Sequence, residues 1–168
     1  VDYPGATGNS SQSGYYTRKF LDEGAARYAL IPMESNVIIL RYAEVLLTYA
    51  EAKIESGSID QSVYDAINML RARAYGVDIS QTDKYPAVTG GSQEELRKIV
   101  RNERMIELCF EGQRRDDIIR WRTAEKLMNG ACYGIPIEKD GKEHILVMER
   151  RFDPSYHYLF PIPQDEID

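Results

Sequence analysis

The chain has 168 residues, a length that suits one domain with a substantial hydrophobic core. It carries 21 Lys and Arg against 27 Asp and Glu, which gives a formal net charge of -6 at pH 7. This acidic balance argues against a surface that binds nucleic acid or anionic lipid. No uninterrupted apolar run is long enough for a transmembrane helix, so none is predicted.

The first residues are small and polar, and they lack the basic and apolar regions of a signal peptide. The chain also begins without Met, so we expect it to be a piece of a longer protein. Residues 1–36 are predicted to form an extended or irregular lead-in, with one strand-like patch at Gly14–Phe20.

Residues 37–76 predict a pair of helices. The first helix spans Val37–Ser56, and its apolar face comprises Ala43, Leu46, Leu47, Ala50 and Ile54. Gly57 ends it, and Asp60 can cap the second helix, which Gly76 terminates. The apolar stripe of the second helix comprises Val63, Ala66, Ile67, Leu70 and Ala74.

This helix pair resembles a tetratricopeptide unit, with the inter-helix turn at residues 55–63. Ala50 and Ser62 are small residues, and we expect them to face each other where the two helices approach most closely.

A second helix pair is predicted within residues 92–130, after a loop at 77–91. Ser92 and Glu95 form a capping box, and the helix should continue to about Glu111. Its inner face is predicted to comprise Leu96, Ile99, Val100, Glu103, Ile106 and Phe110. The fourth helix should begin at Asp116 or Asp117 and carry Ile118, Ile119, Trp121 and Leu127.

Residues 131–168 predict an irregular tail with strand-like patches at Ile145–Met148 and Tyr158–Ile162. The predicted fold class is therefore mainly α: tetratricopeptide-like helix pairs with long irregular loops and a few short strands.

Residues 103–121 read ERMIELCFEGQRRDDIIRW and mix acidic and basic side chains densely. Such a run is compatible with a catalytic acid/base cluster, a nucleic-acid surface or a lattice of ion pairs. A glycosidase needs two carboxylates across a cleft, whereas these glutamates follow one helical ridge with arginines three and four residues away. We therefore expect a structural lattice in which the following residues pair: Arg104, Glu107, Glu111 and Arg114.

No catalytic triad, phosphate-binding loop, dinucleotide-binding motif or di-iron Glu-x-x-His motif is present in the sequence. His144 and His157 have no zinc-type spacing to Cys109 or Cys132. We expect no catalytic residue, no metal site and no cofactor. Cys109 is predicted to be a small core residue, and a disulfide between the two cysteines is left open.

Four separated segments together resemble the C-terminal region of the SusD/RagB family: RYAEVLLTYAEAKIESG at 41–57, INMLRARAYG at 67–76, ERMIELCFEGQRRDDIIRW at 103–121 and YLFPIPQDEID at 158–168. GYYTRKFLD at 14–22 resembles the segment that leads into that region. The resemblance makes residues 1–168 one domain. It implies a structural signature of Arg41, Glu44, Glu51, Arg71, Arg104, Glu107, Glu111, Gly112, Arg114, Asp117, Arg120 and Trp121.

The resemblance also implies a function. Such proteins are mostly helical lipoproteins on the outer membrane surface of Bacteroidetes, and they capture nutrients, mostly glycans, without catalysis. They deliver the ligand to a TonB-dependent transporter of the SusC type, which is the expected protein partner. Membrane association is expected through an N-terminal lipid anchor that this sequence does not contain.

Tyrosines are the natural candidates for glycan contacts, because an aromatic ring can stack on the apolar face of a sugar. Five tyrosines lie in irregular segments where a binding loop could present them: Tyr15, Tyr16, Tyr85, Tyr156 and Tyr158. The candidates for glycan contact are Tyr15, Tyr16 and Tyr85. The competing interpretation of the whole chain is a tetratricopeptide adaptor that binds peptides of other proteins, for which residues 37–76 offer Lys53 alone as a groove lysine.

Overall fold

The computed structural model describes residues 11–21, 36–136 and 143–167. Residues 36–114 form one compact unit, and the described residues before 36 and after 114 belong to a second. The predicted lead-in at 1–36 lies mostly outside the described residues. The prediction of a mainly helical fold with few strands is confirmed: the elements are α1 (Tyr42–Glu55), α2 (Gln61–Tyr75), α3 (Gln93–Glu107), α4 (Gln113–Arg120), α5 (Ala124–Leu127), β1 (Gly130–Pro136), β2 (His144–Arg150) and a 3-10 turn (Gln164–Glu166).

Helix α1 begins five residues later than predicted, after an extended Arg41 with φ of -141°. The preceding Val37–Leu40 segment is not helical, and Val37 and Ile39 are each 89% exposed. Three β-branched residues in succession favour extended backbone, which explains the late start. The end of α1 is as predicted: Gly57 has φ of +74°, and the Ser58 amide donates to the carbonyl of Lys53 at 2.9 Å.

Helix α2 follows the predicted caps. The Asp60 side chain accepts a hydrogen bond from the Ser62 amide at 3.0 Å, and Gly76 closes the helix in the left-handed region. One position of the predicted stripe is wrong, since Ala72 is buried and Ala74 is exposed. The Ser62 hydroxyl bonds with Tyr49 and Lys53, while Ala50 is fully buried in the core.

Helix α3 starts with the predicted capping box, in which Ser92 and Glu95 each bond to the other's backbone amide. It ends at Glu107 rather than Glu111. Its inner face repeats strictly every four residues, through Leu96, Val100, Arg104 and Leu108. The buried face therefore differs from the predicted one. Three residues that were predicted to be buried are exposed: Ile106, Cys109 and Phe110.

The core of residues 36–114 lies where α1 packs against both α2 and α3. Fully buried aliphatic side chains from the three helices fill it: Leu47, Ile54, Val63, Ile67, Leu96 and Val100. Gln93, at the start of α3, donates to the carbonyl of Ile54 at 2.6 Å and so ties α3 to the end of α1.

The 77–91 loop is anchored on this core by Asn68, a buried residue of α2. The Asn68 amide donates to the Val88 carbonyl at 2.9 Å, and the Val88 amide donates back at 2.8 Å. The Tyr85 hydroxyl donates to the carbonyl of Ile79 at 2.8 Å, which closes the loop on itself. The loop thus has no regular secondary structure, but specific hydrogen bonds hold it in place.

Helix α4 begins at Gln113, ahead of the two aspartates predicted to start it, and belongs to the second unit from Arg115 on. The predicted fourth helix is broken after Trp121, because Arg122 takes a left-handed φ of 52°, and α5 follows as a separate short helix. Within the described residues, the chain then forms an antiparallel hairpin in which β1 pairs with β2.

The hairpin confirms the strand predicted at Ile145–Met148 and adds β1, which was not predicted. The other two predicted strands are wrong, since Tyr158–Ile162 forms turns and coil and Gly14–Phe20 forms no strand. The lead-in nevertheless touches β1: the Ile135 amide donates to the Ser13 carbonyl at 2.8 Å.

Candidate functional site

Arg41 is the centre of the charged cluster. Its Nε and Nη2 donate to the two carboxylate oxygens of Glu111 at 2.7 and 2.8 Å. Its Nη1 donates to Glu107 Oε1 at 2.5 Å, and Nη2 also reaches the Glu107 backbone carbonyl at 2.5 Å. One guanidinium thus joins the residue before α1 to the end of α3, with a planar fork that matches paired carboxylates.

Glu107 has a second cation, Arg73 near the end of α2, whose Nη2 lies 2.5 and 2.6 Å from its two carboxylate oxygens. Burial raises the pKa of Glu107, but the hydrogen bonds from Arg41 and Arg73 outweigh it, so the pKa lies below its ordinary value. The hydrogen bond to Glu111 is the largest influence raising the pKa of Arg41. This part of the cluster therefore stays ionised and paired.

The structure adds partners for Glu107 and Glu111 from outside the 103–121 run. Glu107 pairs with Arg41, just before α1, and with Arg73 of α2, and Glu111 pairs with Arg41. Arg104 instead turns inward: it is buried, its Nε lies 3.8 Å from Glu51, and it donates to Thr48 at 3.1 Å. No ion pair of Arg114 is found with the described residues.

Two further pairs extend the lattice. Arg71 donates to Glu103 at 2.9 and 2.6 Å and to the Pro86 carbonyl at 2.5 Å, so Glu103 is a partner of α2 and not part of the apolar face. Arg97 donates to both oxygens of Glu55 at 2.7 Å, which joins α3 to α1. The ion pairs therefore connect all three helices around their core.

The remaining signature residues lie at the end of the run. Gly112 has φ of +84°, which favours glycine and allows the chain to leave α3 and enter α4. Asp117 is buried and accepts hydrogen bonds from Arg120 at 3.0 and 2.8 Å. The Arg120 guanidinium lies 4.9 Å from the centre of the half-buried Trp121 ring.

This arrangement does not suit acid–base catalysis. A general acid needs a carboxyl with a raised pKa that faces a cleft, whereas Glu107 is paired with two arginines and has a lowered pKa. Among the described residues, no group of three His, Cys, Asp or Glu is arranged to hold a metal ion, and no disulfide joins Cys109 and Cys132. The cluster can hold helices together.

The three candidate tyrosines have different environments. Tyr85 is 5% exposed and its hydroxyl is bonded within its own loop, so it is not available to a ligand, contrary to expectation. Tyr15 and Tyr16 are 60% and 62% exposed. The Tyr16 hydroxyl accepts a hydrogen bond from the Ser11 amide at 3.0 Å.

A second aromatic group lies in the tail and includes Tyr158, one of the tyrosines that the sequence places in an irregular segment. Tyr158 donates a hydrogen bond to Glu125, and the Arg122 guanidinium lies 4.5 Å from its ring. Burial and the bond to Glu125 raise the pKa of Tyr158. Phe152 packs edge-on to Tyr158 with ring centres 4.9 Å apart, and Arg115 lies 4.1 Å from the Phe160 ring. These rings fasten the tail to α4 and α5.

The helices and the ion pairs that connect them form a structural scaffold. The SusD family model matches residues 1–168, and the chain belongs to this family. Among curated proteins it is 35% identical over 144 residues to SusD-like protein P2 of Formosa agariphila, covering 79% of this chain and 24% of the relative. SusD-like protein P38 of the same organism is 30% identical over 96 residues, which are 56% of this chain and 19% of the relative.

Solved structures give the same family. A SusD-like carbohydrate binding protein from Bacteroides fragilis matches with a TM-score of 0.76 and 33% identity, over 94% of this chain and 32% of that one. A SusD homolog from Bacteroides thetaiotaomicron matches with a TM-score of 0.56 and 33% identity, over 85% and 28% of the two chains. The chain thus spans between a fifth and a third of the length of these relatives.

None of the helices in the described part of the chain has the length and apolar character needed to cross a bilayer.

Proposed function

We propose that the full-length protein binds carbohydrate at the bacterial outer membrane surface and delivers it, unaltered, to a TonB-dependent transporter of the SusC type. The observation that carries this proposal is the match of the whole chain to the SusD family. The Bacteroides fragilis relative, itself named as carbohydrate binding, shares the fold over 94% of this chain. A lipid anchor at the N-terminus of the full-length protein would hold it at the membrane.

Within that protein, residues 36–114 act as a scaffold. Arg41 forms ion pairs with Glu107 and Glu111, and these ion pairs hold the helices in a fixed arrangement. A rigid helical scaffold suits a binding protein, because loops can then vary in specificity without altering the fold. Because these charged side chains are already paired with one another, they also support the non-catalytic part of the proposal.

Tyr15 and Tyr16 are the proposed contributors of this chain to the ligand site. Both rings are exposed, and an exposed aromatic face offers an apolar surface to a sugar ring while the sugar hydroxyls keep their hydrogen bonds with water. Because glycan hydroxyls exchange water for protein at little net gain, affinity should be modest.

Isothermal titration of the full-length protein against a panel of plant and host glycans tests the proposal. We expect saturable binding to at least one glycan, and a weaker affinity in Tyr15→Ala and Tyr16→Ala. Tyr75→Ala is the matched control, because Tyr75 is 58% exposed but lies at the end of α2. Release of reducing ends by the purified protein would contradict the non-catalytic part of the proposal.

Cell fractionation tests the location. Recovery of the protein with the outer membrane, together with co-purification of a TonB-dependent transporter, is the expected result. A cytosolic protein that binds no glycan but binds peptides would instead favour the tetratricopeptide adaptor.

A further inference from the structure

Asn129, just before β1, fastens the segment that follows β2. Its Nδ2 donates to the Glu125 carbonyl at 2.9 Å and to the Phe152 carbonyl at 3.2 Å. Its Oδ1 accepts a hydrogen bond from the Phe152 amide at 2.6 Å. The ladder of β1 and β2 ends beside these bonds, where Gly130 lies opposite Arg150. The three bonds therefore close the open end of the hairpin and tie it to α5, and we call them the Asn129 latch.

The Asn129 latch also supports the aromatic group of the tail. The Phe152 ring packs against the rings of Tyr158 and His157, with centres 4.9 and 5.4 Å away. Tyr158 donates to the carboxylate of Glu125, the residue whose backbone carbonyl Asn129 binds. Loss of the latch would therefore loosen the start of the tail as well as the end of the hairpin.

Gly130 follows Asn129 because the backbone requires it there. Its φ of +96° favours glycine and strains other residues. An Asn-Gly pair is chemically reactive, because glycine leaves its backbone nitrogen open to approach by the preceding side chain. That nitrogen can attack the side-chain carbonyl carbon of asparagine, which forms a C–N bond, expels ammonia and closes a succinimide ring. Water then opens the ring to aspartate or isoaspartate, and Asn129 is exposed to water.

The Asn129 latch opposes this reaction. The attack requires the Asn129 side chain to turn onto the Gly130 nitrogen, and the latch holds both polar atoms of that side chain on other partners. The latch cannot form again after the reaction. In the aspartate product an oxygen replaces Nδ2, and this oxygen would face the carbonyls of Glu125 and Phe152, which have no hydrogen to donate.

We propose that Asn129 is a deamidation site protected by the latch, and that its conversion to aspartate or isoaspartate permanently opens the latch and loosens residues 151–158. The fold itself creates this site, because the latch uses an asparagine and the next backbone position favours a glycine. The proposal is independent of glycan binding.

The rate of deamidation in the full-length protein tests the protection. The protein is incubated at mildly alkaline pH, once folded and once unfolded in urea, and deamidation of the peptide that contains Asn129 is followed by mass spectrometry. We expect the folded protein to react at least about tenfold more slowly, since the attack then requires local opening. Equal rates would overturn the proposal.

Two substitutions at Phe152 test whether the latch gives this protection. Both remove the ring, but Phe152→Pro also removes the amide that donates to Asn129, whereas Phe152→Ala keeps it. We therefore expect Asn129 to deamidate several-fold faster in Phe152→Pro than in Phe152→Ala. Equal rates in the two folded variants would show that the latch does not protect Asn129 and would overturn the proposal.

Hydrogen exchange in Asn129→Asp tests the consequence of the reaction, because this variant carries one of its products. We expect amide exchange at residues 151–158 to be at least about tenfold faster than in the parent. Asn102→Asp is the matched control, since Asn102 is exposed on α3, and it should leave exchange at 151–158 unchanged. Unchanged exchange in Asn129→Asp would overturn the proposal, whether or not Phe152→Pro folds.

Discussion

Charged side chains connect the helices of residues 36–114, whereas the unit with the hairpin is held by backbone contacts and aromatic rings. In the first unit, Arg41 precedes α1 and reaches Glu107 of α3, and Arg71 and Arg97 each reach a carboxylate on another helix. In the second, Ser13 lies against β1, and Tyr158 and Phe160 pack against arginines. Ion pairs need precise side-chain positions, and regular helices provide them. Irregular segments are held by aromatic contacts, whose geometry can vary more.

The largest effect is expected at the centre of the ion-pair lattice. Arg41→Ala removes the cation shared by Glu107 and Glu111 and leaves two poorly solvated carboxylates close together, at a cost on the order of 3 kcal/mol in the free energy of unfolding. Calorimetric unfolding of the purified protein measures it. Arg73→Ala is the matched control and should cost less than about 1 kcal/mol, because the Arg73 side chain is 57% exposed. Equal losses of unfolding free energy in the two variants would show that the ion pairs of Arg41 are no more important to stability than those of Arg73.

The anchoring of the 77–91 loop can be broken at Asn68. Asn68→Ala leaves the buried amide and carbonyl of Val88 without their side-chain partner, which should cost about 1–3 kcal/mol. Denaturant unfolding gives the number, and hydrogen exchange at Val88 should accelerate. Asn102→Ala, on the exposed side of α3, should be nearly neutral. A neutral Asn68→Ala would show that the loop is held by its apolar contacts instead.

In the unit with the hairpin, the sensitive position is Gly134, where the backbone of the lead-in lies close to β1. A Cβ at Gly134 would lie 2.9 Å from the Ser13 Cα, so Gly134→Ala should push the lead-in from β1 and cost about 1–2 kcal/mol. Proteolysis near Ser13 should become faster. Gly90→Ala is the control, since a Cβ there meets nothing within 4 Å. If Gly134→Ala is as stable and as resistant as the parent, the contact does not hold the lead-in.

The smallest effect concerns a solvent-exposed charge at the start of α2. Hydrogen bonds from Lys53 and Ser62 lower the pKa of Asp60 to about 2. A pKa lower in the folded state than in the unfolded state means that the carboxylate stabilises the fold above its ordinary pKa of 3.8 and stops doing so as pH falls towards 2. The difference in melting temperature between the parent and Asp60→Asn should therefore be present at neutral pH and vanish near pH 2.

Lys53→Ala should remove most of the same pH dependence, because Lys53 is the first cause of the lowered pKa of Asp60. A difference that persists unchanged at pH 2 would assign the effect to helix capping by the side chain and not to its charge.

The sequence by itself determined the elements whose signals are local. Asp60, Ser92 and Gly76 act within one helical turn, and the apolar spacing of residues 43–54 reports directly on the buried side of α1. The resemblance of four short segments also identified the family, because each segment could be compared residue by residue. The resemblance gave no ligand contact.

Only the tertiary structure determined which charged side chains form ion pairs with one another. Arg41 is 66 residues from Glu107 along the chain, so the sequence favoured the arginines of the 103–121 run as partners. Arg104 is drawn inward because Glu51 and Thr48 of α1 lie opposite it. The burial of Tyr85 and the pairing of β1 were not predicted either. The Tyr85 hydroxyl bonds to Ile79 within its own loop, and β1 pairs with β2, the next strand along the chain. Local spacing sets a helix and its caps, but the partner of a charge is fixed only when two helices pack.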